Sequence, residues 1–167
     1  MEVTLTTVTK DDAEIIFDSW GKNHNNFTYL SAVPQNTIED AKEYIQRHLS
    51  NSENLIFHIK YNESGKIVGL IKAVIEGHKA QVGYVIDESH WNRGIASKAL
   101  MEIVSILNSK GNISRIWATC AIDNPASWKV LEKCGFKNEG ILKKWIIYPS
   151  QGNQAHDNYS YVWDNNA

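Results

Sequence analysis

Cysteine is scarce in this chain of 167 residues: only Cys120 and Cys134 occur, and their spacing matches no zinc site. That excludes a disulfide framework and gives no ground for a bound metal, and two reduced thiols fit an intracellular, cytoplasmic protein. No block of basic residues occurs. With 17 Lys and Arg against 19 Asp and Glu, the formal charge is −2 and both signs are interspersed, so no nucleic-acid partner is expected. Long apolar runs are also missing, which excludes a membrane-spanning helix and leaves no membrane partner. The start, Met1-Glu-Val-Thr-Leu5, lacks the charged and apolar regions of a secretory signal. Internal repeats and low-complexity linkers are absent too, and the length suits a single domain over residues 1–167 with a sizeable core.

Hydrophobic periodicity predicts the elements that are there. Residues 3–8 are rich in β-branched side chains and read as a strand. Asp11 or Asp12 is placed to cap a helix carrying Ile16, Phe17 and Trp20, which Gly21 stops. A loop follows over residues 22–35. Thr37-Ile-Glu-Asp40 resembles a capping box, and the helix behind it aligns Ile38, Ala41, Ile45, His48 and Leu49. Strands are expected over 55–61, 66–74 and 80–86, joined as an antiparallel meander by turns at Asn62-Glu-Ser-Gly65 and Glu76-Gly-His78. A helix then carries Ala96, Ala99, Leu100, Ile103, Val104 and Leu107 on one stripe and ends at Lys110-Gly111. A strand over 113–120 completes a crossover unit, so the strands around that helix should be parallel. Asn124-Pro125 opens a short helix ending at Gly135. Strands over 141–148 and 158–163 close the chain. The order β-α-α-β-β-β-α-β-α-β-β implies an α+β domain with a mixed sheet.

The stretch Trp91-Asn-Arg-Gly-Ile-Ala-Ser97 directly precedes the striped helix. A helix start offers unpaired N–H groups and the positive end of the dipole, which suit a phosphate. Gly94 removes a Cβ from the approach, Ala96 and Ser97 keep the next turn thin, and Arg93 and Lys98 add charge. A tight turn alone would equally explain one glycine. Neither Gly-x-x-x-x-Gly-Lys-Ser/Thr nor Gly-x-Gly-x-x-Gly occurs, which speaks against nucleotide hydrolysis and dinucleotide binding.

Two segments, Gly83 to Leu100 and Asp123 to Gly140, together resemble the GCN5-related N-acetyltransferase (GNAT) family. The likeness is to its RimJ/RimL-like branch of ribosomal-protein N-acetyltransferases. The family signature Gln/Arg-x-x-Gly-x-Gly/Ala aligns with Trp91, Asn92, Arg93, Gly94, Ile95 and Ala96, with Trp91 departing at the first position. The downstream pattern falls on Asn124, Ser127, Leu131, Glu132, Lys133, Gly135 and Phe136, and the element order agrees over nearly the whole chain.

The resemblance implies a GNAT fold: a mostly antiparallel sheet of about seven strands between helices on both faces. It implies acetyl-CoA as co-substrate and an amine acceptor, either a small molecule or a protein N-terminus. The pyrophosphate would lie on the amides of Arg93 to Ser97. The pantetheine arm would run along a splayed strand edge at Tyr84, Val85 and Ile86. Asn124 would bond the arm, cap its helix, or do both. A backbone N–H near Val85 or Ile86 is the implied oxyanion donor. Many relatives carry tyrosine where Leu131 stands; in the RimL-like branch a serine one turn earlier lies near the sulfur, and Ser127 matches it. The other reading makes Ser127 a small residue in a helix start.

No base stands out. Gln81 occupies the region where relatives often carry glutamate; Glu76, His78, Glu139, His156 and Asp157 qualify by chemistry alone, and a water chain is the alternative. Loops at 23–30 and 148–157 are expected to wall the acceptor side, with Phe27, Tyr29, Trp145 and Tyr148 lining it and Asp157 attracting a cationic amine. A homodimer is a further expectation. Two rival classes stand beside the enzyme: a non-catalytic acyl-CoA-sensing module of the same fold, and a phosphate-ligand binding protein of unrelated fold.

Overall fold

The computed structural model describes residues 2–164. Seven strands form one sheet in the order β1-β2-β3-β4-β5-β7-β6: β1 Val3–Thr7, β2 Leu55–Tyr61, β3 Lys66–Glu76, β4 Lys79–Ile86, β5 Arg115–Ala121, β6 Phe136–Ile147 and β7 Ala155–Trp163. All neighbours are antiparallel except β4 and β5, which the crossover helix α3 (Ile95–Ser109) makes parallel. Helices α1 (Ala13–Ile16) and α2 (Ile38–Leu49) cover one face, and α3 and α4 (Pro125–Lys133) cover the other. The expected mixed α+β sheet and element order are borne out. No helix among the described residues is long and apolar enough to cross a membrane.

Periodicity explains most of the packing. Ala99, Leu100, Ile103, Val104 and Leu107 of α3 lie in the larger core with Val82, Ile86, Ile116 and Ala118. Burying each large aliphatic contributes about 1.5–3 kcal/mol. The smaller core joins Ile16, Trp20, Phe27, Ala41 and Ile45 to Leu70 and Val85 on the opposite face. The α2 capping box forms as expected: Asp40 N–H donates to Thr37 Oγ1 at 3.2 Å, and Thr37 N–H donates to the Asp40 carboxylate at 2.9 Å. Ala41 and Ile45 are buried, whereas Ile38 and Leu49, at the helix ends, are exposed.

Three expectations change in detail. The first helix is α for one turn only and then widens into a π turn over Phe17–Gly21, where Lys22 N–H reaches the Phe17 carbonyl. Asp12 occupies its N-cap position without a side-chain cap bond; its carboxylate instead accepts from Thr9 N–H at 2.7 Å and meets His58 Nε2 at 3.1 Å. Strand β6 starts at Phe136 rather than Ile141. It is a sheet edge exposed on both faces through residues 137–141, so no apolar alternation announces it.

Candidate functional site

Strands β4 and β5 pair only through Lys79–Arg115, Ala80–Ile116 and Gln81–Trp117. Beyond that point β4 continues over Val82–Ile86 and β5 over residues 118–121 without a shared ladder, so the sheet opens into a cleft. The β5 edge facing away from the cleft is taken by β7, and the outer edge of β4 by β3. Peptide groups on the facing edges are left for a ligand or solvent. Gly69 of β3 makes the geometry of β4 possible here: a Cβ on it would sit 2.1 Å from the Val85 carbonyl oxygen.

At the top of β4 the chain turns into α3. Asn92 (φ 60°) and Gly94 (φ 74°) both lie in the left-handed region, and Gly94 is the N-cap of α3 with no side-chain cap bond. The first helical hydrogen bond comes from Lys98 N–H to the Gly94 carbonyl at 3.2 Å, which leaves the N–H groups of Ile95, Ala96 and Ser97 at the helix mouth. The space next to Gly94 is open, with no heavy atom within 4 Å of an added Cβ. A cleft of about 580 Å³ adjoins it, lined by Arg93, Ser97 and Lys98 on one side and Lys133 and Cys134 on the other. Lys98 also pairs with Glu2, and Arg93 donates to the Ser89 carbonyl at 3.4 Å. Trp91, where the signature departs, bolts the turn to its strand: its indole N–H donates to the Ile86 carbonyl at 2.7 Å while the ring stays half exposed.

Across the cleft, Tyr84 Oη of β4 lies 3.2 Å from Ser127 Oγ of α4. Burial drives the Tyr84 phenol well above its ordinary value, so it stays protonated at neutral pH. Cys120 of β5 also touches Ser127, and burial pushes its thiol up to about 12. Residues from both splayed strands thus meet at Ser127. Asn124 caps α4 through its carbonyl, which accepts Ser127 N–H at 3.1 Å, but its side-chain amide makes no cap bond. Of the two roles expected for that side chain, capping is not the one it performs. Tyr84 was expected only along the arm; its hydroxyl contact depends on a tertiary pairing of residues 43 apart.

The opposite face of the cleft holds the loops. Tyr29 packs edge-on against Tyr148 at 5.9 Å and donates to the Asp123 carbonyl at 2.9 Å. Tyr148 is buried; it donates to Asn158 Oδ1 at 2.9 Å, and Asn158 reaches Thr119. His156 stacks obliquely on Tyr148 at 5.3 Å. Gln151 donates to the Thr28 carbonyl at 2.7 Å and ties the two loops together. Tyr29 and Tyr148 therefore come together as expected. Phe27 does not join them: it is fully buried on Trp20 at 6.0 Å. The Asp157 carboxylate is engaged by Lys143 Nζ at 2.9 Å and Lys144 N–H at 2.8 Å, and these bonds hold its pKa down. Trp145 is half exposed on β6. Of the base candidates, Glu139 is bound by Arg115 and Ser160.

Sequence reasoning missed the clasp at Asn23–Asn26. Asn26 and Asn23 donate to Asp87 Oδ1 at 2.9 and 3.1 Å, Asn25 donates to Glu88 Oε2 at 2.8 Å, and Glu88 N–H donates to Asn26 Oδ1 at 2.9 Å. Burial works to raise the Asp87 pKa, but the bonds from Asn26, Ser89 and Asn23 outweigh it and hold the carboxyl below its ordinary value. The run of asparagines was the available signal.

The family model described as the acetyltransferase (GNAT) domain matches residues 2–137. The chain belongs to the GNAT family. This acetyltransferase is 31% identical over 148 residues to the uncharacterized N-acetyltransferase YoaA of Bacillus subtilis, covering 85% of this chain and 83% of the relative. It is 25% identical over 126 residues to the ribosomal-protein-serine acetyltransferase of Escherichia coli, covering 75% and 70%, in keeping with the RimL-like branch. Among solved structures it is similar to the microcin C7 self-immunity acetyltransferase MccE, solved with acetyl-CoA and AMP. There the TM-score is 0.84 and the identity 28%, with 96% and 91% of the two chains covered. The protein is an N-acetyltransferase of the acyltransferase class.

Proposed function

We propose that the protein transfers the acetyl group of acetyl-CoA to a primary amine, on a small molecule or a protein N-terminus, by direct attack on the thioester. The observation that carries this reading is the open β4 edge, Val82–Ile86, leading into the free amides at Gly94. The pyrophosphate meets the N–H groups of Ile95, Ala96 and Ser97, with Arg93 adding charge and Asn92 and Trp91 shaping the turn. The pantetheine arm pairs with β4 at Tyr84, Val85 and Ile86 as an added strand, and the uncommitted amide of Asn124 faces it from α4.

The amine nitrogen bonds to the thioester carbon, and the carbonyl oxygen takes the negative charge. A backbone N–H near Ile86 stabilises that oxyanion, a contact typically worth roughly 10²–10³ in rate. Collapse breaks the carbon–sulfur bond. The paired Tyr84 and Ser127 hydroxyls supply a proton to the departing thiolate, and the raised phenol value keeps Tyr84 protonated until then. The amine loses its proton to water, since the neighbouring carboxylates of Asp157 and Glu139 are engaged by cations. Cys120 stays a thiol at neutral pH and does not compete as a nucleophile. Tyr29 lines the acceptor side with the buried Tyr148 packed behind it, Phe27 supports their loop from beneath, and Asp157 fixes β6 beside them.

The test is release of free thiol from acetyl-CoA with a panel of primary amines, with the acetylated product identified by mass. We expect turnover with at least one amine. Tight coenzyme A binding without transfer to any amine would replace this reading with the acyl-CoA-sensing module.

A further inference from the structure

The strand registers sort the cleft residues onto two faces. Lys72 lies opposite Gly83, Val74 opposite Gln81 and Leu70 opposite Val85. Leu70 and Val85 belong to the core beneath α1 and α2, so Lys72, Gln81 and Gly83 share that face. The pair Gln81–Trp117 carries the same face onto β5, where Thr119 follows, and Thr119 meets Asn158, which holds Tyr148. This is the face opposite α3 and α4, hence the acceptor side. Leu70 and Val85 are fully packed, but Lys72, Val74, Gln81, Gly83, Trp117 and Thr119 are all only half buried, which marks a groove along the cleft.

Lys72 is the cation in that groove. Its stem would lie 3.8 Å from a Cβ on Gly83, in the stretch where β4 leaves β5. Its ammonium donates to His48 Nε2 at 2.6 Å; the other ring nitrogen, Nδ1, lies 2.8 Å from the Tyr44 carbonyl, so His48 is neutral and donates there. Tyr44 and Arg47 of α2 and the uncharged Gln81 and Gly83 of β4 complete the surroundings. No carboxylate among the described residues pairs with Lys72; besides the bond to His48, its ammonium lies 5.9 Å from the centre of the Tyr44 ring, which supplies no counter-charge. Burial, reinforced by Arg47, depresses the lysine to about 8, as expected for a cation without a counter-charge. Of the acids around the acceptor side, Asp157 pairs with Lys143 and Glu139 with Arg115, whereas Asp87 and Glu88 are held by the neutral amides of the asparagine clasp and keep their charge there, beyond the end of β4. The positive charge at Lys72 is therefore locally unpaired.

We infer that the acceptor amine carries an anionic group, a carboxylate or a phosphate, close to its nitrogen, and that Lys72 with His48 receives it. This rests on the acetyl-transfer reading and narrows its substrate class. A buried cation gains most from a ligand that supplies the missing charge, whereas a polyamine brings further positive charge into the same groove. Tyr29 at the groove wall, backed by the buried Tyr148, suits an apolar body on that ligand.

The test uses matched probes on the whole chain saturated with coenzyme A or acetyl-CoA. Calorimetry compares 3-phenylpropionate, 2-phenylethyl phosphate and neutral 3-phenylpropanol, and the tighter anion identifies the group. Kinetics compare phenylalanine, phenylalaninamide, 2-phenylethylamine and spermidine. We expect at least one anion to bind, and phenylalanine to exceed its amide in kcat/KM by about tenfold or more, mainly through KM. In K72M both preferences vanish while activity on 2-phenylethylamine and coenzyme A affinity hold; K72R, which keeps the charge, retains part of the preference. Equal use of phenylalanine and 2-phenylethylamine, a preference for spermidine, a preference surviving in K72M, or no anion binding would each overturn the inference and leave acetyl transfer standing. Anion binding lost in K72M, without transfer to these probes or to any amine or peptide N-terminus of the wider panel, would instead sink the acetyl-transfer reading and keep the anion site.

Discussion

The two sides of the cleft are built differently. The α3 side is local: Trp91 to Ser97 are consecutive, and backbone geometry at Asn92 and Gly94 creates the open space at the helix mouth. The acceptor side is assembled from distant residues. Tyr29 bonds Asp123, 94 positions away, and Gln151 bonds Thr28, 123 positions away. A local backbone site tolerates side-chain change around it but not a change in the backbone itself. An assembled wall can be altered one contact at a time. Specificity can therefore vary on one side while the cofactor grip stays fixed.

The strongest way to break this contrast is at Gly94. Gly94→Val puts a β-branched side chain on a backbone at φ 74° and fills the open space beside the helix mouth. Acetyl-CoA affinity should fall by about a hundredfold or more, and the strain should cost about 1–2 kcal/mol of stability. Isothermal calorimetry with coenzyme A checks it; unchanged affinity in folded protein would remove this turn from the phosphate site.

A smaller effect is expected where the two strands meet. If, as proposed, the paired hydroxyls act on the departing sulfur, Ser127→Ala and Tyr84→Phe should each lower kcat roughly ten- to a hundredfold with coenzyme A affinity nearly intact. The double variant should cost little more than the worse single one, as expected for a single paired donor. Wild-type turnover in both single variants, measured per folded molecule, would leave this pair structural.

The smallest effect on catalysis concerns the clasp. The Asp87 carboxyl is held below its ordinary value in the folded state, so its contribution is present above the unfolded value of about 4 and is lost as pH falls through the lower folded value. Asn26→Ala should remove three side-chain bonds, two within the clasp and one to the Trp20 carbonyl, and cost about 2–3 kcal/mol at pH 7. The gap to wild type should narrow in urea titrations below pH 4. A constant gap across that range would separate the clasp from the Asp87 charge.

The same division governed what the sequence made legible. Period and capping signals are local, so the α2 box at Thr37, the α3 stripe and the order of elements could be read directly. The signature around Gly94 pointed to the turn for the same reason. The Tyr84–Ser127 contact, the Asn23–Asn26 clasp and the Lys72–His48 pair could not be read, because each depends on packing between segments far apart in sequence. Phe27 shows the limit from the other side: an aromatic in a polar loop resembled a cleft residue, yet tertiary packing drew it onto Trp20. Strand β6 escaped at its start because an edge with two wet faces carries no alternation.

The three-residue ladder between β4 and β5 has a further consequence. It is the seam between one block of four strands and another of three, and a seam that short resists shear weakly. In the sheet itself the two blocks are joined by that brief zipper alone, so what holds them together besides it is the core beneath α3 and α4 and the contacts of Tyr29 and Gln151 across the cleft. A ligand laid in the gap, as proposed, would act as a splint across that seam and stabilise the folded chain by mass action.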